Sequence, residues 1–255
     1  MKKYELTAEF IEKWGKKLFR IKALISFGSV EAGELGGYVE KEDNLAQDGD
    51  AWVCDDAWVY GNARVYGNAE VYGNARVCDD AWVYGNARVY DDAWVYGNAR
   101  VYDDAWVYGN ARVYDDAWVY GNAWVCGNAR VCDDAWVYGN AWVCDDAWVY
   151  GNAEVYGDAR VYGNARVCDD ADYLLIGRIG SRFSFTTFFK NKDKGITVSC
   201  GCFLGTIAEF RAKVTDTHGN NKHAKMYNLA ADMAELQILG EEHFDKLNTN
   251  KSEPF

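Results

Sequence analysis

The segment Asp91-Asp92-Ala93-Trp94-Val95-Tyr96-Gly97-Asn98-Ala99-Arg100-Val101-Tyr102 is one six-residue phrase written twice. Each copy runs small apolar, large, branched apolar, large, with a turn pair between copies. A strand points alternate side chains to opposite faces, so Ala93 and Val95 share one face while Trp94 and Tyr96 share the other. Gly-Asn and Asp-Asp tolerate the left-handed backbone that a sharp corner needs. One hexad therefore predicts one flat side and one corner. Working outward, every sixth residue from Val53 to Val167 is Val, and Ala stands two places before each, from Ala51 to Ala165. A period this regular sets the architecture before any other signal is weighed. Upstream, Val39 and Leu45 fall twelve and six residues before Ala51, in the Ala register, so the pattern is expected to begin imperfectly near Leu35 and to end near Asp172.

Three sides close a triangular coil of 18 residues, whose narrow interior Ala and Val can fill, leaving Trp or Arg and Tyr or Cys outside. The pattern of an aliphatic residue followed four places later by a small one, as in Val53 with Ala57 and Val59 with Ala63, resembles the hexapeptide-repeat left-handed β-helix superfamily. The resemblance implies a mainly β fold, a left-handed parallel β-helix; periodicity alone does not give the hand. Where most members carry a small or acidic residue after the aliphatic one, this chain carries Tyr or Cys, a departure on the outer face.

An 18-residue coil stacks residue i on i+18 at the strand spacing of about 4.8 Å. One column then reads Tyr66, Tyr84, Tyr102, Tyr120, Tyr138, Tyr156. Two others mix cation and indole: Trp58, Arg76, Trp94, Arg112, Arg130, Trp148, Arg166 on one face, and Arg64, Trp82, Arg100, Trp118, Trp136, Glu154 on another. Alternating Arg and Trp suits cation–π stacking, about 0.5–1 kcal/mol per exposed pair. Much of the repeat is a twelve-residue double unit wound on an 18-residue coil, so Asp-Asp corners mostly meet Gly-Asn corners; Asp115-Asp116 meeting Asp133-Asp134 is the main acid-on-acid contact. Like charges stacked closely are destabilising, although duplication within a gene accounts for the alternation equally well.

Solenoid ends expose unpaired edges unless capped. Residues 1–34 read as a β-hairpin cap turning at Gly15-Lys16-Lys17, residues 35–172 as the β-helix, and residues 173–255 as a small α+β domain. The last begins with strands Y-L-L-I-G-R-I-G, R-F-S-F-T-T-F-F and G-I-T-V-S-C-G-C-F. Thr206 and Glu209 form a capping-box signature for a first helix. A second helix near 222–239 carries Met226, Leu229, Ala230, Met233, Leu236 and Leu239 on one stripe, read as core.

The chain has 27 Lys and Arg against 39 Asp and Glu, a net charge of −12, which disfavours binding to a nucleic-acid duplex. Both flanks are mildly basic, so the acidity belongs to the solenoid. No apolar run long enough to span a membrane and no signal-peptide pattern are present, which predicts a cytoplasmic protein. Six of the eight Cys stand where sister repeats have Tyr, and free thiols are expected.

The superfamily resemblance brings acyltransferases and zinc carbonic anhydrases to mind, but their coil histidines and inserted loop are missing between Ala51 and Ala171. No catalytic residue, metal or cofactor is therefore assigned. Cys200, Cys202, His218 and His223 form a conceivable zinc set, Cys200 with His223 a conceivable nucleophile pair, and Asp115, Asp116, Asp133 and Asp134 a conceivable Ca²⁺ corner; core or surface side chains account for each more simply. His243 is the third histidine. Arg178, Arg182, His218, Asn221 and His223 offer donors for a small polar or anionic ligand. E-A-G-E-L-G-G-Y-V-E-K-E-D-N-L, I-G-S-R, C-G-C-F and H-G-N-N-K-H look like uncharacterised phage and prophage hexapeptide-repeat proteins, which implies a host-cell cytoplasmic location rather than an activity.

Two functions remain. The first is a non-enzymatic structural or interaction protein, a rigid rod that presents aromatic and acidic columns to a protein partner or another copy of itself. The second is a ligand-binding protein holding a saccharide or nucleotide on the columns or in the C-terminal part; a degenerate acyltransferase-like protein ranks below both. Candidate binding residues are Trp58, Arg76, Trp94, Trp118, Trp136, Tyr102 and Tyr120 on the coil, with Arg178, Arg182, His218, Asn221 and His223 beyond it.

Overall fold

The computed structural model describes residues 2–242; His243 lies outside them. Strands β1 (Tyr4–Lys13) and β2 (Lys16–Ala23) form an antiparallel hairpin, and β3 (Leu35–Val39) lies against β2. Twenty two-residue strands, β4–β23, follow every six residues from Trp52–Val53 to Arg166–Val167. They stack in parallel as three sheets, each strand pairing with the one 18 residues on, so that Val95 meets Val77 and Val113. Every Ala and Val of the repeat is fully buried, as the alternation predicts. The chain is thus mainly β, a parallel β-solenoid with a helix-bearing domain at its C-terminal end.

The corners explain the choice of turn residues. From Asp55 to Gly163 the first corner position has positive φ, as at Gly97 (69°) and Asp103 (57°). A Cβ at Gly85 would lie 2.7 Å from the Asp103 nitrogen in the next coil, which requires glycine there. Asp at this position recurs beneath Gly, whose N–H donates to its carboxylate, as from Gly73 to Asp55 (3.1 Å) and from Gly163 to Asp145 (3.0 Å). At the second position Asn donates upward, from Asn98 to Asp116 (2.9 Å) and from Asn86 to Asp104 (3.0 Å). The alternation of Asp-Asp with Gly-Asn is therefore a hydrogen-bond ladder as well as a relief of repulsion. Among the described residues the ladder is interrupted between Asp115-Asp116 and Asp133-Asp134, where both partners are acceptors.

Two expectations at the N-terminal end are corrected. Val39 pairs with Val59 and Leu45 with Val65, a spacing of 20, so both join the Val register rather than the Ala register. Their bulk suits the Val column, and the two extra residues are absorbed before Ala51, in a stretch held by the buried Lys3. Its Nζ donates to the carbonyls of Asp48, Gly49 and Ala51, the last at 2.9 Å. The hairpin turns at Trp14-Gly15, with both φ positive (51° and 74°), while Lys16 and Lys17 belong to β2. Tyr4, fully buried, plugs the coil mouth and donates its hydroxyl to the carbonyls of Glu42 and Leu45, both at 2.8 Å.

The thiol expectation is corrected too. Cys126 and Cys144 form a disulfide, with Cα atoms 4.6 Å apart. They are one stacked pair, 18 residues apart, so the coil itself supplies the proximity that sequence spacing hides. The other six cysteines are free.

Beyond the last coil, β24 (Tyr173–Ile179), β25 (Ser184–Lys190), β26 (Ile196–Cys200) and β27 (Phe203–Thr206) make an antiparallel sheet in sequence order. The expected third strand ended at Phe203, but Gly201 takes φ 60° and folds it into a hairpin, with Cys200 opposite Phe203. Tyr173 and Phe189 plug the solenoid, mirroring Tyr4 at the other end. Helices α1 (Ile207–His218) and α2 (Lys222–Leu239) pack on Phe188, Ile196 and Val198, and the Thr206–Glu209 capping box is formed. Arg211 joins the helices through Asp232 (2.7 Å) and Glu235 (2.8 Å). Among the described residues no helix is long and apolar enough to cross a membrane.

Candidate functional site

Trp58, Arg76 and Trp94 stack on one side of the triangle, with the Arg76 guanidinium 4.6 Å from each indole. Trp118, Trp136, Tyr102 and Tyr120 lie on a different side, so the coil candidates divide into two separate patches. Consecutive rings of the Tyr66 column stack at 4.8 Å and 2° at the start, loosening to 5.4 Å and 18° at Tyr138–Tyr156. Trp118 and Trp136 stack at 5.1 Å, while Trp136 and Trp118 also meet Tyr120 and Tyr102 edge-on at 6.3 and 6.1 Å.

The columns are thus largely self-satisfied. Within a column each ring gives its faces to its neighbours and shows solvent mainly an edge. Trp58, at a column end, is covered edge-on by Trp14 from the hairpin turn at 5.8 Å. A saccharide or nucleotide base that stacks would need a free ring face. Burial drives the tyrosine hydroxyls upward: Tyr90 and Tyr102 reach about 12, through desolvation first and then the neighbouring tyrosines of the column. They are neutral hydroxyls at any ordinary pH.

The apolar stripe of α2 is the largest correction. The buried face of the helix is Ala224, Tyr227, Ala230, Ala231, Ala234 and Ile238. Met226, Leu229, Met233 and Leu236 point away from the sheet and are 40%, 63%, 57% and 45% exposed; only Ala230 and the partly buried Leu239 of the expected stripe reach the core. The small alanines let α2 approach α1 and the sheet closely, and that leaves the large side chains on the far side.

The remaining candidates separate. Asn221 caps α2, its side-chain oxygen accepting from the N–H groups of His223 (2.8 Å) and Ala224 (3.1 Å). Arg178 is exposed on β24, and His223 lies 5.8 Å, ring to ring, from His218 with its Nδ1 buried and unpartnered. Arg182 and His218 instead line a cavity together with Lys213, Thr217 and Tyr227, three residues that sequence reasoning missed. The helical spacing of Phe210, Lys213, Val214 and Thr217 on α1 was the available signal. Cys200 accepts from the Thr186 hydroxyl at 3.2 Å and abuts Tyr227. No group of three or more His, Cys, Asp or Glu among the described residues is placed to hold a metal ion, the Cys-His set and the Asp115 corner included.

Stacked hexad coils, three parallel sheets and capped ends define a β-solenoid repeat protein. A family model described as YdcK Beta solenoid repeat matches residues 57–71, 69–85, 81–97, 93–109, 105–121, 111–127 and 129–145, all inside the solenoid. No curated protein matches the chain.

Proposed function

We propose that this chain is a non-enzymatic interaction protein in which the solenoid is a rigid spacer and the C-terminal domain joins it to a second copy through α2. The exposed stripe carries the reading. Met226, Leu229, Met233 and Leu236 are separated by three, four and three residues, the spacing of a coiled-coil seam, which fits another copy of the same helix. Large apolar side chains left contiguous in water favour association. The coil from Ala51 to Ala171 is uninterrupted and carries no histidine, which does not favour an acyl-transfer role. The hexad pattern supports kinship with left-handed hexapeptide-repeat helices, and the flanking segments, such as E-A-G-E-L-G-G-Y-V-E-K-E-D-N-L, favour a phage or prophage origin. Ligand binding on the columns is less favoured, because stacking occupies the ring faces.

Sedimentation velocity tests the assignment on the full chain. A discrete oligomer that becomes monomeric in Leu229→Glu/Met233→Glu, with circular dichroism unchanged and melting lowered only by the lost association, is the expected result. A wild-type monomer at every concentration, or an oligomer indifferent to the double variant, overturns it.

A further inference from the structure

The cavity at the far end of the C-terminal domain is built for charge of one sign. It encloses about 210 Å³ where the β24–β25 turn, the tip of the β26–β27 hairpin and the facing sides of α1 and α2 meet. Arg182, Lys213 and His218 line it, and among the described residues no carboxylate does, in a chain with 39 acidic residues. Nearby Arg211 is neutralised by Asp232 and Glu235. Arg182 has no carboxylate or hydrogen-bond partner among the described residues, and Lys213 reaches Asp216 only at the surface (3.4 Å).

The floor is apolar and aromatic, built of two rings set at right angles. Phe210 is buried, with its ring 5.6 Å from and perpendicular to that of Tyr227, and His218 lies over Tyr227 at 5.8 Å and 28°. A Cβ at Gly180 would collide with the Tyr227 hydroxyl, so glycine in that turn admits the ring. Burial and the adjacent Cys200 raise the Tyr227 hydroxyl to about 12, leaving a neutral donor beside the Arg182 guanidinium.

We propose that this cavity binds a small organic anion, a carboxylate or phosphate ester carried on one flat apolar group. The cations take the charged end through charge-assisted hydrogen bonds, and the flat group lies against Tyr227 and Phe210. Pockets for drug-sized ligands run from about 300 Å³ upward, so this one is limited to roughly a single ring with its charged substituent. The stripe of α2 faces away from Tyr227, so the pocket and the association surface can be tested separately.

Phenyl phosphate titrated into the full-length protein, followed by calorimetry and by the His218 imidazole resonances, tests the assignment. The expected result is saturable binding that weakens roughly tenfold or more in Arg182→Gln and further in Arg182→Gln/Lys213→Gln, both exposed substitutions. Benzamidine, which has the same ring and a positive charge, is expected not to compete. No saturable binding up to about 10 mM, wild-type affinity in the double variant, or equal binding of benzamidine overturns the proposal. Inorganic phosphate bound as tightly as phenyl phosphate overturns the role given to the aromatic floor.

Discussion

The solenoid and the C-terminal domain solve the same problem in opposite ways. In the solenoid each outward side chain is answered by its own repeat 18 residues away: Tyr on Tyr, Arg on Trp, Asn on Asp. In the C-terminal domain the sequence does not repeat, and among the described residues the fold leaves an apolar helix face and the Arg182 guanidinium unanswered. A one-dimensional stack is stabilised by nearest-neighbour contacts, and its surface is largely spent on those contacts. Surface left free to engage something else is concentrated where the repeat stops.

The sharpest way to break the contrast is to put a charge in each region. Val113→Asp, buried in the middle of the coil, is expected to unfold the solenoid, because an isolated carboxylate there costs several kcal/mol or neutralises; loss of far-ultraviolet circular dichroism reads it. Leu229→Glu on α2 is expected to leave the fold intact, with melting lowered only by the lost association. A solenoid that tolerates Val113→Asp would refute the packing described.

The disulfide comes next. Opening the Cys126–Cys144 bridge by Cys126→Ser should lower stability by about 3 kcal/mol on the loop-entropy view for an 18-residue closure. Denaturant melts with and without reductant check this, with reductant lowering the wild type to the variant's level and leaving the variant unmoved.

Alkali tests how tightly the tyrosine columns are packed. The hydroxyls of Tyr90, Tyr102 and Tyr138 have folded-state values raised above that of the unfolded chain, to about 12, chiefly by burial. More protons are then held folded than unfolded above pH ~10. The stabilisation is complete below that pH and is lost as pH rises through about 12. Phenolate absorbance rising late and together with loss of β-structure is the expected outcome; tyrosines titrating near 10 in a folded protein would contradict it.

The smallest effect concerns the interrupted ladder. Asp116→Asn keeps the acceptor for Asn98 and adds a donor toward Asp134, so it should stabilise the coil by about 0.5 kcal/mol, with the gain shrinking as salt is added. Thermal melts at two ionic strengths measure it. Asp92→Asn, which sits in an intact Asn74–Asp92 contact, serves as the control and should give no such salt-dependent gain.

Much of the architecture was legible because a period of six is a local code. Ala and Val at alternate positions, with a positive-φ corner after each pair, specify a flat side wherever they occur, so the coil, its columns and the ladder follow from arithmetic. The capping box at Thr206–Glu209 and the second helix were legible for the same reason. The candidate sites were less so. Arg182 and His218 were named together, but Lys213 and Tyr227 come from other positions along the helices and meet them only in space.

Three features were decided by tertiary packing alone. The extra residues before Ala51 moved Val39 and Leu45 into the Val column, because the cap had to seat Lys3 and Tyr4. Cys126 and Cys144 became a pair only once the coil brought residues 18 apart to one strand spacing. On α2, alanines and large apolar residues both have helical periodicity, so hydrophobicity could not say which set faces in. The choice went to the alanines because a helix lying on another helix and a sheet at once packs closest through its smallest side chains, which left Met226, Leu229, Met233 and Leu236 outside.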